Sequence, residues 1–227
     1  NDKLIDKSNK NLQKLKTERK ELEVQLDEHK YNVVEDIENI YTQEGYKFYK
    51  KVLKCSEYGC ATNRKRLFIV AVRGDQNFEW EYPNPTTADN LPTVRDAFNK
   101  LDLGENGVNN PKNDKDNIPM NHRPSTVEKF KKVKCDQKSN DSYFSRGTSS
   151  RLHWNKPAPT LVPGHSSFQI HPEEHRSITV REGAIITGFD KNFKFCGSHS
   201  SRCMQIGNAI PVNMAFHLAE QCKKFLS

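Results

Sequence analysis

The run Leu67-Phe68-Ile69-Val70-Ala71-Val72 has the least structural freedom of any segment in the chain. A short, continuous apolar run without glycine or proline predicts a buried strand. Upstream, Tyr46 to Cys55 is rich in β-forming residues, and Glu57-Tyr58-Gly59-Cys60-Ala61-Thr62-Asn63-Arg64-Lys65-Arg66 lies between the two. The order is therefore strand, basic loop, strand. Such a pair is marginal alone, because two strands bury too little.

Residues 1–44 predict helix, with no glycine or proline before Gly45 and with Leu12, Leu15, Leu22, Leu26 and Val33 near heptad positions. Arg19 interrupts the seam, so a short coiled coil and a solvated helix with one buried edge both remain open. Either would serve for docking. From about Gly74 to Asn155, six prolines are spread among Asn, Asp and Lys, which predicts a small loop-rich domain. Its basic stretch, Lys129 to Lys134, either tracks a phosphate backbone through Lys131 and Lys132 or is a solvated face. Prolines keep Trp154 to Leu161 extended. A helix follows over Val180 to Thr187, ending at Gly188, and a last amphipathic helix over Pro211 to Phe225 places Met214, Leu218, Cys222 and Phe225 on one face.

Hydrophobic residues make up 34% of the 227 and charged residues 29%, so much of the chain is solvated or faces a partner. The formal charge of +7 suits a polyanion such as nucleic acid. Six cysteines show no metal-ligand spacing and are read as free thiols in a reducing cytosol, so no metal is expected. No apolar run approaches the length of a membrane helix, which predicts no membrane association and a cytoplasmic location, or a nuclear one in a eukaryote. The first residue is Asn rather than Met, and the chain is read as a processed, trimmed or split piece.

Three blocks in order carry a family resemblance over roughly residues 33 to 227. Tyr58-Gly59-Cys60-Ala61-Thr62-Asn63-Arg64-Lys65-Arg66-Leu67-Phe68-Ile69-Val70 resembles the eighth motif of the bacterial-type DNA cytosine-C5 methyltransferases, with Arg64 and Arg66 matching the two alternate arginines. Ala61 and Thr62 depart from that motif's Pro and Gln. His171 to Glu182, with Thr179-Val180-Arg181-Glu182 opening a helix, resembles the ninth motif; Asp190 departs from the usual Phe-Pro. Gln205-Ile206-Gly207-Asn208-Ala209-Ile210-Pro211 is similar to the tenth.

The resemblance implies an α/β fold: the terminal strands and C-terminal helix of an S-adenosylmethionine-dependent methyltransferase sheet, a small target-recognition domain and an N-terminal helix. The corresponding boundaries are 1–44, 45–74, 75–175 and 176–227. It also implies transfer of a methyl group from S-adenosylmethionine to carbon 5 of a cytosine taken out of duplex DNA, since the reacting carbon is inaccessible in the stack. A thiolate must attack carbon 6, with an acid beside ring nitrogen 3.

Arg66 would then stabilise charge developing at the base carbonyl, and Arg64 would hold nearby phosphate or acidic groups. The alternative is that both pair with carboxylates at a sheet edge. Asn208, Ala209 and Ile210 are expected at a tight turn into a helix, their N–H groups receiving the cofactor carboxylate, or else forming a plain capping turn. Arg181 and Glu182 are expected in buried internal pairs, and Thr160 and Leu161 to meet a DNA groove or the gap left by the flipped base. Trp154 and His153 could equally be the local core of the recognition domain.

Two signatures of a complete enzyme are missing. No two glycines stand two apart, so there is no Phe-x-Gly-x-Gly cofactor turn, and no proline precedes a cysteine. Glu38-Asn39-Ile40 imitates the family's Glu-Asn-Val acid but falls inside the predicted helix. The sequence is therefore read as one half of the enzyme. A complementary half must carry the cofactor turn, Pro-Cys and Glu-Asn-Val, the other reading being a non-catalytic DNA-binding or regulatory module.

Overall fold

The computed structural model describes Lys14, Leu15, Glu18 and residues 32–135, 150–162 and 168–226. Most of the expected heptad (Leu12, Arg19, Leu22, Leu26) lies outside them. Lys14 and Leu15 are helical, and Lys14 pairs with Glu18 across one turn. The helix expected over 1–44 is not one continuous run: helix α1 covers Val33–Gln43, and Asn32 before it has non-helical φ/ψ. Gly45, at φ 81°, ends α1 where an L side chain would be strained.

Strand β1 (Tyr46–Lys54) pairs with β2 (Lys65–Arg73) in a two-stranded sheet, joined by a 3₁₀ turn at Cys55–Tyr58 and an irregular loop. After these come helices α2 (Val94–Phe98), α3 (Pro124–Lys132), α4 (Val180–Ile186), α5 (His199–Asn208) and α6 (Val212–Leu226). A second 3₁₀ turn, Lys115–Asn117, precedes α3.

The chain divides into two compact units. The smaller contains α1 and the outer strand ends, Tyr46 to Phe48 and Ala71 to Asn77. Tyr41 packs edge-on against Tyr46 there, but no residue of α1 is buried.

The larger unit runs through Tyr49–Val70 and Phe78–Ser227. Its main core joins Val94 and Ala97 of α2 to Leu161, Phe168 and the wholly buried α4, thus drawing on both sides of the boundary expected at 175. A second cluster packs Leu53, Cys55, Tyr58 and Cys60 on Met214 of α6. The strand expected to be buried on both faces is half open: Leu67 and Ile69 are exposed, as is Val52 on β1. Phe68, on the opposite face, packs against the second cluster, so only one face finds a cover. Cys222, expected on the apolar face of the last helix, is also exposed.

Local chemistry fixes α4. Thr179 accepts from the Glu182 N–H at 3.1 Å, and the Thr179 N–H donates to Glu182 Oε2 at 2.8 Å, a reciprocal capping box. Gly188, at φ 87°, follows the C-cap Thr187.

Candidate active site

The loop between the strands is closed at its neck by the Cys55 N–H donating to the Arg64 carbonyl at 2.8 Å. Gly59 ends the 3₁₀ turn in the left-handed region, φ 84°. The Ser56 hydroxyl donates to Asn63 Oδ1 at 3.0 Å across the loop. Residues 158–159, from the proline-rich stretch, then run alongside: the Ala158 N–H donates to the Ala61 carbonyl at 2.8 Å and the Asn63 N–H to the Ala158 carbonyl at 2.7 Å. Thr62 is fully buried and donates to the Pro159 carbonyl, so the two departures from the motif, Ala61 and Thr62, are packing residues here.

Arg64 is 3% exposed, and its Nε is sealed from solvent without an acceptor. Burial, reinforced by Arg66, pulls its guanidinium below the ordinary arginine range. Arg66 is half-buried and donates to the Lys65 carbonyl at 2.7 Å. Among the described residues neither guanidinium has a carboxylate partner, which removes the alternative of sheet-edge ion pairs. Two adjacent cations without counter-charge make a site for an anion or a carbonyl dipole.

Cys55 is the thiol that these arginines act on, but burial and neighbouring Cys60 push it up to about 12 despite their pull. At neutral pH it is a protonated core thiol. Cys60 is likewise raised by burial, against the lowering pull of the Met214 and Asn213 main-chain N–H groups. Asn213 clamps the loop, donating from Nδ2 to the Gly59 carbonyl at 2.9 Å. Nothing in the sequence spacing announced this contact.

Asn208 ends α5, and Ala209, Ile210 and Pro211 form the short link into α6, so the expected turn into a helix is present. Ser198 caps α5 through the Ser201 N–H, and the helix runs to Asn208. The Ala209 N–H is spent on the Gln205 and Ile206 carbonyls, and Ala209 turns extended, at ψ 148°. Of the first donors of α6, the Val212 N–H goes to the Thr187 carbonyl. The Ala209 N–H is therefore closed to a carboxylate, whereas the side chains of Asn208 and Ile210 are exposed.

Leu161 is 1% exposed in the main core, so its side chain is unavailable to a groove; Thr160 is half-buried and its carbonyl accepts from Gln169 Nε2. Lys131 sits on α3 and pairs with Glu128 at 2.6 Å, while Lys132 is exposed beside it in the last helical turn. Arg181 is buried against Asp114, at 2.6 Å, and Asp116, which also holds Arg202. Glu182 instead accepts a two-pronged contact from Arg176, both bonds 2.8 Å. His153 Nδ1 accepts from the Asn155 N–H, and Trp154 packs edge-on to Phe98.

The family model of the C-5 cytosine-specific DNA methylases matches residues 21–224. The chain belongs to that family. It is 33% identical over 204 residues to the type II methyltransferase M.Eco47II of Escherichia coli, covering 81% of this chain and 47% of the relative. To M1.HphI of Haemophilus parahaemolyticus it is 27% identical over 223 residues, covering 88% and 58%. The chain thus spans about half the length of the curated relatives it matches.

Among solved structures, a prophage-encoded DNA modification methyltransferase of E. coli superposes with a TM-score of 0.66 at 22% identity, covering 87% of this chain and 66% of that one. The Dnmt2 methyltransferase of S. pombe gives 0.56 at 14%, covering 87% and 63%. These share the mixed α/β fold. C-5 cytosine methylases use S-adenosylmethionine as methyl donor. In this C-5 methylase chain, the exposed amide of Asn208 and the apolar Ile210 fit the edge of such a ligand, and the Ala209 N–H is not free for its carboxylate. Among the described residues no group of acidic, His and Cys side chains is placed to hold a metal ion, and no helix is long and apolar enough to cross a membrane.

Proposed function

We propose that this chain is the C-terminal half of a DNA cytosine-C5 methyltransferase, and that it acts on duplex DNA only together with a complementary half. The observation that carries this is the Arg64–Arg66 pair, a buried and a half-buried cation with no acidic partner among the described residues, on a loop held by Gly59 and Asn213. A buried cation without a partner costs several kcal/mol, and a ligand presenting a carbonyl oxygen or an anion offsets that cost. In this reading Arg66 faces the carbonyl of the flipped cytosine, stabilising the charge that develops there, and Arg64 backs it. S-adenosylmethionine supplies the methyl group. Asn208 and Ile210 contact its rim, Thr160 and Lys132 face DNA, and Arg181 and Glu182 hold α4 in register.

The complementary half supplies Pro-Cys, Glu-Asn-Val and the glycine turn that this sequence lacks. The open ribbon face of Val52, Leu67 and Ile69, together with α1, none of whose residues is fully buried, supports docking at those surfaces. The segments 1–44, 45–74, 75–175 and 176–227 then serve as docking arm, sheet completion, target recognition and closing helices.

A second reading, a non-catalytic DNA-binding or regulatory module, rests on the departures Ala61, Thr62 and Asp190. Labelled-methyl transfer to unmethylated duplex DNA separates the two. The chain should be inactive alone and active with the polypeptide that co-purifies with it. Arg66→Ala should abolish transfer while sparing DNA affinity. DNA binding without transfer in any mixture would leave the second reading standing.

A further inference from the structure

A recess of about 520 Å³ opens among α2, the loop before α3 and the segment leading into α4, and no residue of the Cys55–Arg66 loop lines it. Its volume is in the range of small-ligand sites. Three rings form its wall. Phe98 and His171 lie 5.6 Å apart at 30°, and Trp154 stands edge-on to both, at 5.5 Å from each. The Arg95 guanidinium sits 5.0 Å from the Trp154 ring centroid, at the rim.

His171 is 6% exposed and oriented from behind. Its Nδ1 accepts the N–H groups of Glu173 and Glu174, at 3.2 and 3.0 Å, which leaves the ring proton on Nε2. Burial pulls the imidazole below its ordinary range, so it is neutral at pH 7 and Nε2 carries one N–H. The Glu174 and Glu182 oxygens nearby stand 3.8 and 3.9 Å from Nε2, beyond hydrogen-bonding reach. Both of those carboxylates are already held by Arg176. Glu173 lines the same recess, exposed and without a hydrogen-bonding cation among the described residues. The recess therefore presents, beside the mutually paired Arg176, Glu174 and Glu182, one ring N–H without an acceptor, one exposed carboxylate and an aromatic wall.

We propose that this recess binds a guanine base. Its 6-oxo group would accept from His171 Nε2, its adjacent N1–H and 2-amino donors would pair with the two oxygens of Glu173, and its ring would lie along Phe98 and Trp154. Arg95 would meet an attached phosphate. Adenine, cytosine and thymine each lack two adjacent donors beside an acceptor, so the same edge rejects them. The base comes either from a free nucleotide or from an unpaired position in DNA; the recognising chemistry is shared. The site requires neither methyl transfer nor a complementary half.

Equilibrium dialysis of the chain with GMP, AMP and CMP tests the first source, and anisotropy with single-stranded oligonucleotides, with and without one guanine, tests the second. Saturable GMP binding should exceed AMP and CMP binding by about tenfold or more, and Glu173→Gln should weaken it by about tenfold, the worth of one two-pronged pair. Glu173 is exposed, so that variant should fold. A guanine-dependent gain confined to the oligonucleotides, and lost in Glu173→Gln, would support the site with DNA as its source. Binding indifferent to base identity or to Glu173 in both arms, or no binding in either, would overturn it.

Discussion

Replacing Arg151 with methionine removes one guanidinium and strands four main-chain carbonyls. Its Nε donates to Val133 O at 2.8 Å, Nη1 to His171 O and Glu174 O, and Nη2 to Phe130 O, each at 2.7 Å. Phe130 and Val133 lie at the C-terminal end of α3, where the last carbonyls have no helical partner and the helix dipole favours a cation. The side chain is 7% exposed and, among the described residues, has no carboxylate partner. Hydrogen bonds from a charged donor contribute about 1.5–3 kcal/mol each, so four give about 6–12 kcal/mol. Methionine is spared the several kcal/mol of burying a cation, which leaves a net loss of about 3–5 kcal/mol. For a chain of this size that is a fall in Tm of about 6–20 °C. Urea unfolding followed by circular dichroism measures it, and Arg151→Lys, a point charge without the planar fork, should recover only part. A loss below about 1 kcal/mol would refute the reasoning, because the carbonyls would then have found water at little cost.

Burial pushes the Asp114 carboxyl up, but hydrogen bonds from Arg181 and the Asp116 N–H hold it below its ordinary value. Its stabilisation is therefore present above the unfolded carboxylate range and lost as pH falls through the depressed value. The urea midpoint should drop below about pH 4, and Asp114→Asn should flatten that drop. Gly59→Ala should cost about 2 kcal/mol in the same titration: φ 84° is strained for alanine, and the new Cβ would lie 2.9 Å from Asn213 Nδ2. Leu67→Lys with Ile69→Lys should change stability by under about 0.5 kcal/mol each, both being exposed, yet abolish methyl transfer in the mixture with the complementary half.

What the sequence made legible was local. Thr179-Val180-Arg181-Glu182 spells a capping box, and the structure closes it; Gly45 and Gly188 mark helix ends because those positions need positive φ. The strands at Tyr46 and Leu67 followed from composition alone. Contacts between distant segments were not legible. Thr62 and Pro159 are 97 residues apart, and no periodicity in either segment shows that they meet. The turn expected at Asn208, Ala209 and Ile210 falls between α5 and α6, but the sequence did not show that the Ser198 cap and a bond from Gln205 Nε2 to the Cys196 carbonyl carry a helix through Gly207 up to it. Leu161 was placed toward DNA by the segment's resemblance to the one that closes the family's recognition domain, whereas only half of an extended segment can face outward.

Among the described residues Arg64, Arg151 and Arg181 are buried, with Arg176 and Arg202 nearly so, and all but Arg64 have acceptors. Arg151 has carbonyls, Arg176 has Glu174 and Glu182, and Arg181 has Asp114 and Asp116. Arg64 has an orphaned Nε and a like charge beside it. Removing a cation that has partners exposes their buried charges, so Arg181→Met should destabilise the chain by about 3–5 kcal/mol. Removing one that has none relieves an unmet desolvation cost. Arg64→Met, close to isosteric, should therefore leave stability unchanged or raise it by about 1 kcal/mol, while transfer in the complemented mixture is lost. A residue kept at the expense of stability and needed only for turnover is a functional one. Equal destabilisation by Arg64→Met and Arg181→Met would instead make Arg64 a structural cation, and the carbonyl-binding role would fall to Arg66 alone.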